Sequence, residues 1–302
     1  MSLAVVLIAG LAASHPSAQS PRFSAAADAV VVDVYVSARD GGPVPSLTAE
    51  DFLLLDNNQP QDVVFFSREE RLPVAVALVI DRSGSMARSK IEAAKEAALV
   101  FFDILRQGDL VEVIAFNEHP VRLYPLGPDH AAARRSFAGL TGDGLTGLYE
   151  AVLVGLRDLE RNQRHRPMRY RNVLVILSDG LDTERLITFD HVLEDVRRSG
   201  VMVYTISFRT DKHDRMLAPP RELSQLAFDS GGRAMTVGTA PALMSVYREI
   251  GAELQSLYQV GFIPSDPGRD DRWRAISVRV PGKDVRVRAR SGYYLPSRNA
   301  RQ

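Results

Sequence analysis

The run Val74-Ala75-Val76-Ala77-Leu78-Val79-Ile80 is seven apolar residues without a polar interruption. A strand with one wet face alternates. An unbroken run belongs to a strand covered on both faces, as in a parallel sheet packed between helices. The run stops at Asp81-Arg82-Ser83-Gly84-Ser85-Met86, and a helical pattern starts near Arg88, with Ile91, Ala94, Ala98, Phe101 and Leu105 spaced for one buried face. Open α/β sheets bind ligands beyond the carboxyl ends of their strands. Asp81, Ser83 and Ser85 therefore stand at the binding end of such a sheet. All three are oxygen donors, the set a hard divalent cation such as Mg2+ takes.

Two later stretches complete the set. Val173-Leu174-Val175-Ile176-Leu177 is a second buried-strand run, and it ends in Ser178-Asp179-Gly180. Between the two runs, Gly142-Asp143-Gly144-Leu145-Thr146-Gly147 is a glycine-rich loop that feeds a helical stretch from Leu148 to Leu159. The ordered set Asp81-x-Ser83-x-Ser85, then Thr146, then Asp179, resembles the metal-ion-dependent adhesion site of von Willebrand factor type A domains. The resemblance implies a divalent cation held by these five residues, Mg2+ first with Mn2+ and Ca2+ as alternatives. It also implies an open coordination position filled by a carboxylate of a partner protein, and binding rather than turnover. The competing structural account is that Ser83 or Ser85 only caps the next helix. That account covers one residue of five and leaves Thr146 and Asp179 unexplained.

The rest of the core alternates strand and helix: Leu110 to Phe116, a short edge strand Val121 to Tyr124, a helix from an Asp129 cap to Phe137, Phe189 to Arg198, Val201 to Ile206, Arg221 to Phe228, Arg233 to Thr236 and Pro241 to about Leu257. Such units predict an α/β fold with a doubly wound, mostly parallel sheet. The flanks read differently. Val30, Val32, Val34 and Val36 alternate with polar positions, Phe52 to Leu55 and Val63 to Phe66 follow, and Tyr258 to Ile263 opens a carboxyl-terminal β-rich segment. Ile276, Val278 and Val280 turn through Pro281-Gly282-Lys283-Asp284 into Val285, Val287 and Ala289, which reads as a hairpin. Neither flank is large enough to stand alone, so the two are expected to pack together as a β-sandwich-like module. The expected division is 1–20 a signal peptide, 21–70 an amino-terminal β segment, 71–257 the metal-site domain and 258–302 a carboxyl-terminal β segment. This order resembles a group of bacterial exported proteins with such a domain between β-rich flanks.

Lys plus Arg and Asp plus Glu each total 37, so no charge excess draws the chain to nucleic acid or anionic lipid. There is no cysteine, which removes disulfides and thiolate metal ligands. Residues 3–13 form an apolar stretch too short to span a bilayer, followed by small residues at Ala13-Ser14 and Ser17-Ala18, with no basic residue before it. This predicts export to the periplasm or beyond, with no integral membrane span once the peptide is removed.

Several local patterns mislead. Gly142-x-Gly144-x-x-Gly147 fits a dinucleotide fingerprint but follows no strand. Ser83 lacks the glycine two residues before it that an esterase elbow requires, because Asp81 is there. The histidines fall in no local metal spacing and read as surface residues. The basic stretch Arg161 to Arg171 reads as a solvated loop, and Asp211 to Arg215 as a loop on the metal side of the sheet. The function expected is a metal-dependent protein-binding module. The alternative is a hydrolase or phosphotransferase using the same cation as Lewis acid, for which the sequence offers no general base.

Overall fold

The computed structural model describes residues 29–68, 72–86, 89–165, 168–180, 182–184, 186–209, 219–266, 268 and 271–295. The expected signal peptide and the stretch Asp211 to Arg215 lie outside the described residues.

The apolar run becomes β5 (Val74–Asp81), and every one of its residues is buried. It pairs in parallel with β6 (Leu110–Phe116) on one side and β8 (Arg171–Ser178) on the other. β9 (Met202–Phe208) and β10 (Ala234–Val237) extend the sheet beyond β8, and β7 (Pro120–Gly127) closes the far edge antiparallel to β6. The order is β10-β9-β8-β5-β6-β7. Alternate residues of β5 serve two separate cores. Val74, Val76, Leu78 and Ile80 meet α1 (Ser89–Ile104), α2 (His130–Arg135) and α6 (Ala240–Leu254), whereas Ala75, Ala77 and Val79 meet α3 (Leu148–His165), α4 (Phe189–Ser199) and α5 (Arg221–Ser230). This is why the run has no polar face: both sides are helix-covered. α2 starts as the sequence reads, with the Asp129 side chain accepting from the Ala132 N–H.

The two flanks do combine. One antiparallel sheet has the order β13-β1-β11-β4, from Val285–Ala289, Val30–Ala38, Tyr258–Phe262 and Phe65–Ser67. The other has the order β14-β12-β2-β3, from Gly292–Tyr294, Trp273–Arg279, Leu53–Asp56 and Gln59–Gln61. Val30, Val32, Val34 and Val36 face Leu54, Ile276 and Tyr293 across one shared core, so each chain end supplies strands to both sheets. Two readings need correction, and two strands went unread. The stretch Ile276 to Ala289 is not a hairpin: β12 pairs with β2 and β14, while β13 pairs with β1. The Pro281-to-Asp284 turn crosses from one sheet to the other, because both strands have an apolar face and the two faces meet across the sandwich. β3 and β14, three residues each, carry no apolar alternation long enough to read. The basic stretch is a loop only in part, with residues 168–170 irregular. Arg161 and Arg164 lie on the last turns of α3, and Arg171 opens β8, buried, with its guanidinium donating to the Leu254 carbonyl at 3.0 Å and to Asp33 Oδ1 at 3.0 Å.

Arg171 is one of several bonds that fix the β-module to the α/β core. Arg288 of β13 donates through Nε to the Gly231 carbonyl at 3.0 Å and pairs with Glu253 near the end of α6. Arg286 and Arg288 alternate with Val285, Val287 and Ala289 in β13; Arg286 is exposed, whereas Arg288 docks on the α/β core.

Candidate metal-binding site

Asp81 is the last residue of β5 and is fully buried. A buried carboxylate needs donors, and two reach it: the Ser83 N–H at 2.7 Å to Oδ1 and the Ser178 hydroxyl at 2.5 Å to Oδ2. The first bond is a local Asx-type turn, which tips Ser83 and Ser85 back toward the strand end. Ser83 is buried, Ser85 is exposed, and their hydroxyls are 3.1 Å apart. Ser85 Oγ then donates to Asp179 Oδ1 at 2.6 Å, which joins the end of β5 to the residue following β8.

Thr146 arrives on the glycine-rich loop. That loop is stitched to the first one by the Gly84 N–H donating to the Gly144 carbonyl at 2.9 Å and the Asp143 N–H to the Arg82 carbonyl at 2.7 Å. Thr183 holds it from the other side: its N–H donates to the Thr146 carbonyl at 2.9 Å, and its hydroxyl accepts from the Thr146 N–H at 3.1 Å. The glycines answer to packing, not to a nucleotide. Gly144 has φ +80°, and a Cβ there or at Gly147 would drive into the carboxylate or the carbonyl of Glu118. Thr146 is consequently buried although it lies in a loop.

All five expected residues thus stand at one end of the sheet, on three chain segments. Burial pushes the Asp81 carboxyl above the ordinary range, against the pull of its hydroxyl and N–H donors, and the charge of Asp179 adds to the upward push. Two buried carboxylates and three hydroxyls form an all-oxygen donor set that is short of positive charge, which fits a hard divalent cation. Among the described residues no group of three or more His, Asp or Glu forms a metal cluster elsewhere. His119 is largely exposed and pairs with Glu150 at 3.3 Å.

Three participants escape the sequence pattern. Ser178 adjoins Asp179 and reads as the end of a strand. Lys90 reaches Asp179 Oδ2 at 2.5 Å from the first turn of α1. Asp182 Oδ1 accepts from the Tyr149 N–H at 3.0 Å, and so sits at the start of α3, the helix that Thr146 precedes. A hydrophobic run followed by Ser-Asp-Gly gives a signal for Ser178; nothing in sequence spacing pairs Lys90 with Asp179, 89 residues away. Beside the site, a cavity of about 320 Å3 is lined by Glu118, Tyr149, Asp182, Glu184 and Leu186 among others.

A family model described as von Willebrand factor type A domain matches residues 75–249, more than half of the chain. The chain is similar to human inter-alpha-trypsin inhibitor heavy chain H4, 28% identical over 190 residues that make up 59% of this chain and 20% of that protein. It is also similar to an uncharacterised protein of Mycobacterium tuberculosis, 36% identical over 132 residues, 41% of this chain and 20% of that one. Across the first four curated relatives it spans between 14% and 33% of their length. Among solved structures, a von Willebrand factor type A protein from Catenulispora acidiphila superposes with TM-score 0.53 over 82% of this chain and 74% of that chain, at 16% identity, which speaks for the fold alone. Domains of this family bind protein ligands, carry divalent cations where the metal-ion-dependent adhesion site is present, and are in general not catalysts. This chain belongs to the von Willebrand factor type A domain family.

Proposed function

We propose that this protein is a divalent-cation-dependent protein-binding module whose cation, Mg2+ in the first instance, is held by Asp81, Ser83, Ser85, Thr146 and Asp179. The observation that supports the reading is the contact of Ser83 with Asp81 and Ser85, and of Ser85 with Asp179, at the carboxyl end of one sheet, with the loop that carries Thr146 bonded beside them through Gly84 and Gly144. Asp81 is oriented by Ser178 and by the Ser83 N–H, and the Gly84–Gly144 bond keeps Thr146 level with the serines. Bound there, a divalent cation would offer an electrophilic position to a carboxylate of a partner protein. The three neutral hydroxyls leave that electrophilicity largely undamped. The partner reading therefore commits to an acidic side chain on a protein surface.

Export to the periplasm or the cell exterior belongs to the same proposal, supported by the apolar stretch at residues 3–13 with small residues after it. No helix among the described residues is long and apolar enough to cross a membrane.

Calorimetric titration of metal-free protein with MgCl2, MnCl2 and CaCl2 tests the site. Asp81→Ala is expected to lose cation affinity by about a hundredfold or more, since a buried charged ligand disappears. Equal affinity in wild type and Asp81→Ala refutes the assignment. For the function, capture of a partner from envelope extract should vanish with EDTA and with Asp81→Ala. Capture that survives both refutes metal-dependent binding.

A further inference from the structure

Both oxygens of Asp179 are already engaged by the chain: Ser85 Oγ on Oδ1, and Lys90 Nζ at 2.5 Å on Oδ2. Lys90 is the second residue of α1. A helix amino terminus favours anions, so a lysine there works against the helix dipole. Nor does packing ask for it, since the buried face of α1 is made by Ile91, Ala93, Ala94, Ala97, Ala98, Phe101 and Phe102. Yet the side chain is only 20% exposed, and the carboxylate it meets is 5% exposed. Arg82, also at this end of the sheet, is directed to Asp143 at 2.9 Å. Asp81 and Asp179 are thus two buried carboxylates, and the ammonium that Asp179 meets is that of Lys90. Burying such charges without compensation is costly.

We infer that Lys90 is an internal counter-ion of the site, which holds Asp179 when no metal is present and competes with the metal for that carboxylate. The inference rests on the metal reading proposed above. It has a consequence for the partner. Two carboxylates neutralise a divalent cation, and the ammonium beside them leaves the loaded site with a positive charge. Lys90 thereby trades cation affinity for attraction toward an acidic ligand.

The test compares Lys90→Met and Lys90→Arg with the wild type, by calorimetry with MgCl2 and by thermal melting in EDTA and in excess MgCl2. Lys90→Met should bind Mg2+ about tenfold tighter or more, because a like charge close to the cation is gone. It should melt below the wild type in EDTA and regain the difference in MgCl2. Lys90→Arg, which keeps the charge, should stay near the wild type in both. Equal or weaker Mg2+ binding by Lys90→Met, in a wild type that binds, overturns the counter-ion role and leaves the metal site standing. So does a melting loss that Mg2+ does not restore, or a Lys90→Arg that behaves like Lys90→Met. A wild type that binds no Mg2+, Mn2+ or Ca2+ overturns the metal site and this inference together.

Discussion

Asp81 and Glu112 lie on neighbouring parallel strands, β5 and β6, and on the α3 face of one sheet. Glu112 is level with Ala77, four residues before Asp81 and thus about 13 Å toward the amino end. Asp81 is fully buried and Glu112 is 1% exposed. Their surroundings differ in kind. Asp81 receives an N–H and a hydroxyl. Glu112 faces another carboxyl, Asp158 of α3, and its Oε2 has no hydrogen-bond partner. Arg122 lies between the two acids, 2.5 Å from Asp158 and 3.5 Å from Glu112, so Asp158 is the carboxylate it pairs with. Burial first, then the hydrogen bond and charge of Asp158, push the Glu112 carboxyl up to about 9. It therefore keeps its proton at neutral pH. Burial raises both carboxyls; at Glu112 a neighbouring carboxyl adds to the rise, whereas at Asp81 the hydroxyl and N–H donors oppose it. The two ends of the same sheet supply one case each.

The largest effect is expected at Glu112. Its value in the folded chain lies above the 4.5 of a free glutamate, so the folded form holds a proton that the unfolded chain releases. The stability this gives is complete below about pH 4.5 and drains away as pH rises toward 9, by up to about 1.4 kcal/mol per pH unit. Glu112→Gln should flatten that slope and be the more stable protein at pH 8, as read from urea unfolding at pH 6, 7 and 8. Parallel pH profiles for the two proteins would show that Glu112 is ionised in the fold. At Asp81 the effect to expect is smaller. Ser178→Ala removes one of its two donors and should destabilise the protein by about 1–3 kcal/mol in EDTA while weakening Mg2+ binding. Should stability and Mg2+ affinity both remain unchanged, the Ser178 hydroxyl does not orient Asp81. The smallest effect belongs to the rim. Arg82 pairs with Asp143, whose side chain is 72% exposed, and Arg82→Ala should change stability by no more than about 0.5 kcal/mol. A loss well above that would place Arg82 inside the charge balance of the site rather than on its edge.

How far each feature could be read follows from the range of the force involved. The five candidate donors could be picked out because each lies at a strand end or in a glycine-rich loop, and a parallel sheet brings such ends to one side. Glu112 was not, since Leu110 to Phe116 reads as an apolar strand with one interruption, and Asp158 lies a whole helix away. The alternation in β12 and β13 showed two apolar faces; that they oppose each other in separate sheets depends on β1 and β2 occupying the edges beside them. Arg171 was expected in a solvated loop, because a sequence cannot tell a wet face from one that docks on a neighbouring module, as Arg171 does through Asp33 and Arg288 through Glu253 and the Gly231 carbonyl.

The fold class follows from local pattern: periodicity decides which segments are buried on one face or two, and strand–helix alternation leaves a handful of ways to stack them, with the candidate metal ligands at strand ends. The partners of the buried carboxyls and the pairing of the chain ends emerge only from the three-dimensional fold. Both depend on which side chains arrive from far along the chain. Glu112 meets Asp158 from α3 and Asp81 meets Ser178 from β8, and neither partner is near in sequence.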